Sequence, residues 1–93
     1  MSDPIQIFAE ARLVWEKGDP EKAILLLQHP LLNEDAEAIF LTGEIHYNCQ
    51  NWGAALNSFR QCLQINPENR AAQTYVGLIQ NILGFFHTDQ FNP

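Results

Sequence analysis

The sequence predicts an all-α fold, an α-solenoid of about five helices arranged in antiparallel pairs. Three observations predict it. Strand signals are absent, and short stretches of helix-forming residues are separated by Gly, Pro and Asn. A capping residue followed by proline, the start signal of a helix, occurs at Asp3-Pro4 and again at Asp19-Pro20. Finally, the chain repeats itself. Gly43 and Gly77 lie 34 residues apart, Ala38 and Ala72 share that spacing, and Ala23-Ile24 precedes Ala55-Leu56 by 32, as Gly18 precedes Gln50. A period near 34 with two helices per unit is the mark of a helical solenoid.

The elements follow in order. A first helix starts at Pro4, carries Ile7, Ala11 and Val14 on one face, and ends at Gly18 as a glycine C-cap. A second starts at Asp19-Pro20 and carries Ala23, Ile24, Leu26 and Leu27. It is expected to end near Gln28, with a buried Leu31-Leu32 turn after Pro30. A third runs from about Glu34 to Asn48 with Ile39, Thr42, Gly43, Ile45 and His46 facing inward. Asn51 is placed to cap a fourth, which buries Ala55, Leu56, Phe59, Cys62 and Leu63. Asn66-Pro67 separates it from a fifth, expected to reach Leu83 before Gly84. Connections this short make neighbouring helices antiparallel hairpins.

Length and composition agree with one domain. The chain has 93 residues, of which 46% are hydrophobic, enough for a core. No apolar run approaches the roughly 20 residues that span a bilayer, so no membrane partner is expected. The opening Met-Ser-Asp-Pro lacks the basic start and apolar block of a secretion signal, which makes a cytoplasmic location and two reduced thiols, Cys49 and Cys62, the simplest reading. The net charge of -6 is uneven. Residues 1–46 hold nine acids and three bases, whereas residues 47–93 balance Glu68 and Asp89 against Arg60 and Arg70. An acidic chain repels phosphate backbones, so no nucleic-acid partner is expected.

No motif points to an enzyme. There is no phosphate-binding glycine loop and no H-E-x-x-H, and neither Ser2 nor Ser58 lies in a nucleophile elbow. His46 and Cys49 have metal-ligand spacing, but no second cluster completes a site, so neither metal nor cofactor is expected.

Residues 36–69 carry a more specific pattern: Ile39-x2-Thr42-Gly43-x2-His46, then Ala55-x3-Phe59, then Cys62 and Pro67. This resembles the tetratricopeptide repeat, in which small residues let two helices approach and a phenylalanine fills the wider gap. Thr42 and His46 depart from the pattern. The resemblance implies a right-handed solenoid of roughly two and a half units. Residues 4–35 form a shortened first repeat and residues 36–69 a complete one. Residues 70–83 form a C-terminal helix and residues 84–93 an apolar tail. The repeat-packing positions are then Ala11, Ala23, Gly43, Ala55, Phe59, Cys62, Pro67 and Gly77.

What the family implies about function is an interaction module, an adaptor rather than an enzyme. First helices line a concave groove in proteins resembling this one. By position, that surface comprises Ile5, Phe8, Arg12 and Trp15, then Glu37, Phe40, Glu44 and Tyr47, then Ala71, Thr74 and Leu78. Its aromatics are suited to a protein or peptide partner, with Arg12 and Glu44 as polar anchors. Some relatives grip a C-terminal carboxylate with basic residues. The matching positions here are Phe8, Arg12, Leu41, Ala71 and Tyr75, of which only Arg12 is basic, so that clamp is not expected.

The alternative expectation is a self-associating structural module. The last helix reads as apolar nearly all round and asks for cover. Tyr75, Ile79, Ile82, Phe85, Phe86 and Phe91 are the residues placed to meet a second copy in a homodimer or the chain's own tail, with Gly84 allowing the reversal.

Overall fold

Each helix of the chain begins where a capping residue stands, and those residues recur at close to even intervals. The computed structural model describes residues 3–86. Asp3 caps α1 (Pro4–Glu16), its carboxylate accepting from the Ile5 and Gln6 amides at 2.8 and 3.3 Å. Asp19 caps α2 (Pro20–Leu27) by accepting from Lys22 N–H at 3.1 Å. Asp35 caps α3 (Ala36–Asn48) by accepting from Glu37 and Ala38. Asn51 occupies the cap position of α4 (Trp52–Ile65) but makes no side-chain capping bond, contrary to the role expected for it. Asn69 precedes α5 (Arg70–Phe86) and accepts from Ala72 N–H at 3.0 Å.

The cap chemistry accounts for much of the charge asymmetry. Asp3, Asp19 and Asp35 are caps, and Glu21 and Glu37 sit in first turns. Carboxylates there satisfy orphan amides and oppose the positive helix end. The later helices start from asparagine and need no charge.

The ends are equally local. After α1, Gly18 has φ +92°, Gly18 N–H reaches Trp15 O at 2.9 Å and Asp19 N–H reaches Val14 O at 3.1 Å. This is the paired Schellman closure. After α3 the same two bonds recur, from Gln50 to Tyr47 O and from Asn51 to His46 O, with Gln50 at φ 64°. The equivalence of Gly18 and Gln50 in the sequence is thus an equivalence of backbone. A side chain in the left-handed region costs roughly 1–2 kcal/mol. Gln50→Gly is therefore expected to stabilise the fold by about 1 kcal/mol, read as a higher urea midpoint.

Each helix packs mainly on its chain neighbours, α1 on α2, α3 on α4 and α4 on α5. The core falls into two clusters. The first joins Ile7, Ala11, Ala23, Leu27 and Leu32 to Ala38, Leu41 and Ile45 of α3. The second joins Ile39 of α3 to Ala55, Phe59, Cys62, Ala72 and Ile79. Helix α3 is buried on two sides because it packs on α4 on one side and on the α1–α2 hairpin on the other. Ala38 and Leu41, which a one-face reading left out, belong to its first side. Leu56 and Leu63, expected buried, are half-buried. The turn after α2 is a short 3-10 stretch, Pro30–Leu32, that buries Leu32 but leaves Leu31 52% exposed, because successive residues of so tight a turn point apart.

Helix α5 corrects three expectations. It does not end at Leu83 but runs through Gly84 to Phe86, so Gly84 is not a reversal point. Packing of Ile79 and Leu83 into the second cluster outweighs the helix cost of one glycine, about 1 kcal/mol. Nor is the helix apolar all round. Arg70, Gln73, Gln80 and Asn81 are exposed and give the helix one polar face. Finally, Ile79 and Tyr75, expected to await a second copy or the tail, are engaged within the chain, Ile79 fully buried and Tyr75 packed against the same cluster. The predicted fold-back of Phe91 lies outside the described residues, as do the side chains of Phe85 and Phe86. Among the described residues, no helix is long and apolar enough to cross a membrane.

The Gly43 contact explains the repeat pattern physically. A Cβ at this position would stand 2.9 Å from Cε1 and Cζ of Phe59, so the ring occupies the space a side chain would need. Ala11, Ala23, Ala55 and Cys62 are fully buried as packing positions. Pro67 is exposed in the turn before α5. Gly77, at the position equivalent to Gly43, faces open space within 4 Å, because no helix among the described residues packs there.

Candidate functional site

Two adjoining clefts run along the first helix of each pair. One, of roughly 510 Å³, is lined by Phe8 and Arg12 of α1, by Glu37, Phe40 and Glu44 of α3, and by Ala71 of α5, among others. The second, of roughly 490 Å³, is lined by Tyr47, Ala71, Thr74, Tyr75 and Leu78. Ala71 belongs to both, so the two form one surface. Its small side chain leaves the passage open.

The side chains reach this surface by helical spacing. Glu37, Phe40, Glu44 and Tyr47 stand at i, i+3, i+7 and i+10 on α3, one face of a helix. Thr74 and Leu78 stand one turn apart on α5, and Phe8 and Arg12 one turn apart on α1. The Arg12 guanidinium lies over the Phe8 ring, 5.5 Å from its centre, which holds the cation at the cleft wall. The hydroxyls of Thr42 and Thr74 bond back to their own helices, at Ala38 O and Arg70 O, both at 2.9 Å.

The floor is aromatic. Tyr75 of α5 stacks on Phe59, with ring centres 4.3 Å apart and planes 5° apart. Its ring meets the edges of Phe40 at 5.9 Å and Tyr47 at 4.9 Å, and Tyr47 in turn meets Trp52 at 5.3 Å. The Tyr75 hydroxyl donates to Glu44 Oε2 at 3.3 Å, a bond from α5 to α3. Burial raises the Tyr75 pKa, and the neighbouring Glu44 carboxylate raises it further. Tyr75 is therefore a neutral hydrogen-bond donor at physiological pH.

Two residues predicted for the groove stand elsewhere. Trp15 lines neither cleft and is half-buried against the first core cluster, because it shares a face with Ile7 and Ala11 at i+8 and i+4. Ile5 is 80% exposed at the start of α1 and also lines neither. Leu41, matched to the clamp set, borders the first cleft but is 1% exposed and belongs to the core. Conversely, Ala36, Asn66 and Asn69 line the first cleft and were not anticipated. Asn66 and Asn69 precede α5 in the turn around Pro67, and a cap residue ahead of a first helix is the signal that could have found them.

His46 lies on α3 with Nδ1 buried and no hydrogen-bond partner among the described residues. Burial lowers its pKa below 6.5. The fold thus favours the neutral imidazole, while the unfolded chain takes up a proton near pH 6.5. The contribution is complete above that pH and is lost as pH falls below it. Urea titrations at pH 7.5 and pH 5 are expected to show a smaller loss in His46→Phe than in the parent chain.

The cysteines are free, Cys49 exposed and Cys62 buried. Cys62 Sγ donates to Ala36 O at 3.7 Å, and burial pushes its thiol up to about 11, so it is a packing residue and a poor nucleophile. No group of three metal-ligating side chains exists among the described residues.

Residues 36–69, which comprise α3, α4 and the turn before α5, match the tetratricopeptide repeat family. No curated protein matches the chain. The matched unit holds the glycine–phenylalanine contact, residues of both core clusters and the aromatic face of the cleft, and over residues 36–69 the chain is similar to a tetratricopeptide repeat.

Proposed function

We propose that this protein is a binding module that takes a segment of a partner protein along the joined clefts of α1, α3 and α5. Tetratricopeptide repeats are protein–protein interaction modules in general. The observation that carries the finer reading is that exposed or half-exposed side chains from all three first helices line one continuous surface: Phe8, Phe40, Tyr47, Thr74 and Leu78. Aromatic side chains presented in a cleft supply most of the binding energy of such interfaces. Self-association through α5 has less support, since the outer face of that helix is polar.

The reading is tested by affinity capture from the native lysate with the parent chain and with Leu78→Glu. Leu78 is 44% exposed, so the substitution places a charge in the cleft without opening the core. Proteins retained by the parent and lost by the variant, at an unchanged melting temperature, are the expected result. An identical set on both columns would defeat it.

A further inference from the structure

The cleft floor holds a carboxylate among aromatic rings. Glu44 projects between Phe40 and Tyr47 on one face of α3, one turn from each, and bonds to the hydroxyl of Tyr75 across the gap. That bond engages Oε2 and leaves most of the roughly four acceptor sites of a carboxylate for a ligand. The faces of Phe and Tyr rings attract cations. A carboxylate flanked by such rings is suited to an ammonium or guanidinium head.

A second carboxylate, Glu37, lines the same cleft seven residues earlier on the same face. At about 1.5 Å per residue, the two stand roughly 10 Å apart along α3. The continuation of the surface past Glu44, through Tyr47, Ala71, Thr74 and Leu78, carries no charged side chain. Arg12, on the opposite wall, is held over Phe8 and away from this continuation. Along the surface, acidic groups in an aromatic setting therefore give way to a neutral apolar stretch.

We infer that the groove selects a peptide segment in which a lysine or arginine stands within a few residues of an apolar side chain, the cation seated at Glu44 and the apolar group over Tyr47 and Leu78. This rests on the binding-groove reading above. Charge complementarity carries it: the first cleft has two carboxylates to one guanidinium, and an acidic segment placed at Glu44 would leave like charges facing each other.

The test is selection from a display library of random dodecapeptides on the intact chain, followed by titration of synthetic copies of the winners and mapping of their amide shifts by nuclear magnetic resonance. Winners enriched in Lys or Arg within a few residues of an apolar side chain, and mapping to α3 and α5, are expected. Glu44→Gln keeps an oxygen for Tyr75 and is expected to weaken them about tenfold. Replacing the peptide lysine by norleucine, which leaves the protein untouched, is expected to do the same. Winners that map to the groove but are neutral or acidic, or that ignore both substitutions, overturn the inference and leave the groove reading standing. Winners that map elsewhere, or no enrichment at all, overturn both.

Discussion

Phe59→Ala is expected to destabilise the fold by about 3–5 kcal/mol, the cost of emptying a fully buried aromatic site. The ring is 0% exposed and packs on two other helices at once. It fills the space beside Gly43 of α3, stacks on Tyr75 of α5 and meets the edge of Phe40 at 5.3 Å. Its removal leaves a void between α3 and α5, both of which are held against α4 and cannot collapse freely. Urea denaturation followed by far-ultraviolet circular dichroism measures the loss. The same variant is expected to disturb the cleft, since the floor ring, Tyr75, loses the surface it rests on. A loss under about 1 kcal/mol would mean that α3 and α5 are not coupled through this ring.

Gly43→Ala and Gly77→Ala are expected to act in opposite directions, although the two glycines are one repeat apart. At Gly43 the new methyl would meet the Phe59 ring at 2.9 Å, and Tyr75 and Phe40 prevent that ring from withdrawing. Overpacking of this kind costs about 1–3 kcal/mol, of which the better helix propensity of alanine returns up to roughly 1. The net result is destabilisation on the order of 1 kcal/mol. At Gly77 nothing lies within 4 Å, so only the propensity gain remains, about 0.5–1 kcal/mol of added stability. Combining Gly43→Ala with Phe59→Leu is expected to remove most of the penalty, which identifies the clash as its source.

The local structure was legible in the sequence because its causes are local. Asp3-Pro4, Asp19-Pro20 and Gly18 act within a turn of where they stand, and the structure places caps and a left-handed closure there. The repeat spacing led to Gly43 and Phe59 because that contact needs a small residue opposite a large one at fixed offsets. What the sequence concealed depends on neighbours. Periodicity alone does not reveal that α3 is buried on two sides, nor that Ala38 and Leu41 serve a different cluster from Ile39. Trp15 and Phe8 are both aromatics of α1 packed against the first cluster, yet only Phe8 also lines the cleft. The list of apolar residues in α5 concealed Gln73, Gln80 and Asn81, which are exposed on one face of the helix. The Tyr75–Glu44 bond joins residues 31 positions apart, and no local pattern announces it.

The central claim is that partners meet the surface along α1, α3 and α5. Its most direct test places a photoreactive benzoylphenylalanine at either of two exposed leucines and irradiates the protein in cells that express it natively. Leu78 lines the cleft and is 44% exposed, while Leu25 of α2 lines neither cleft and is 68% exposed. A discrete cross-linked species is expected from position 78 and none from position 25. Cross-linking from position 25 with none from position 78 would contradict the claim.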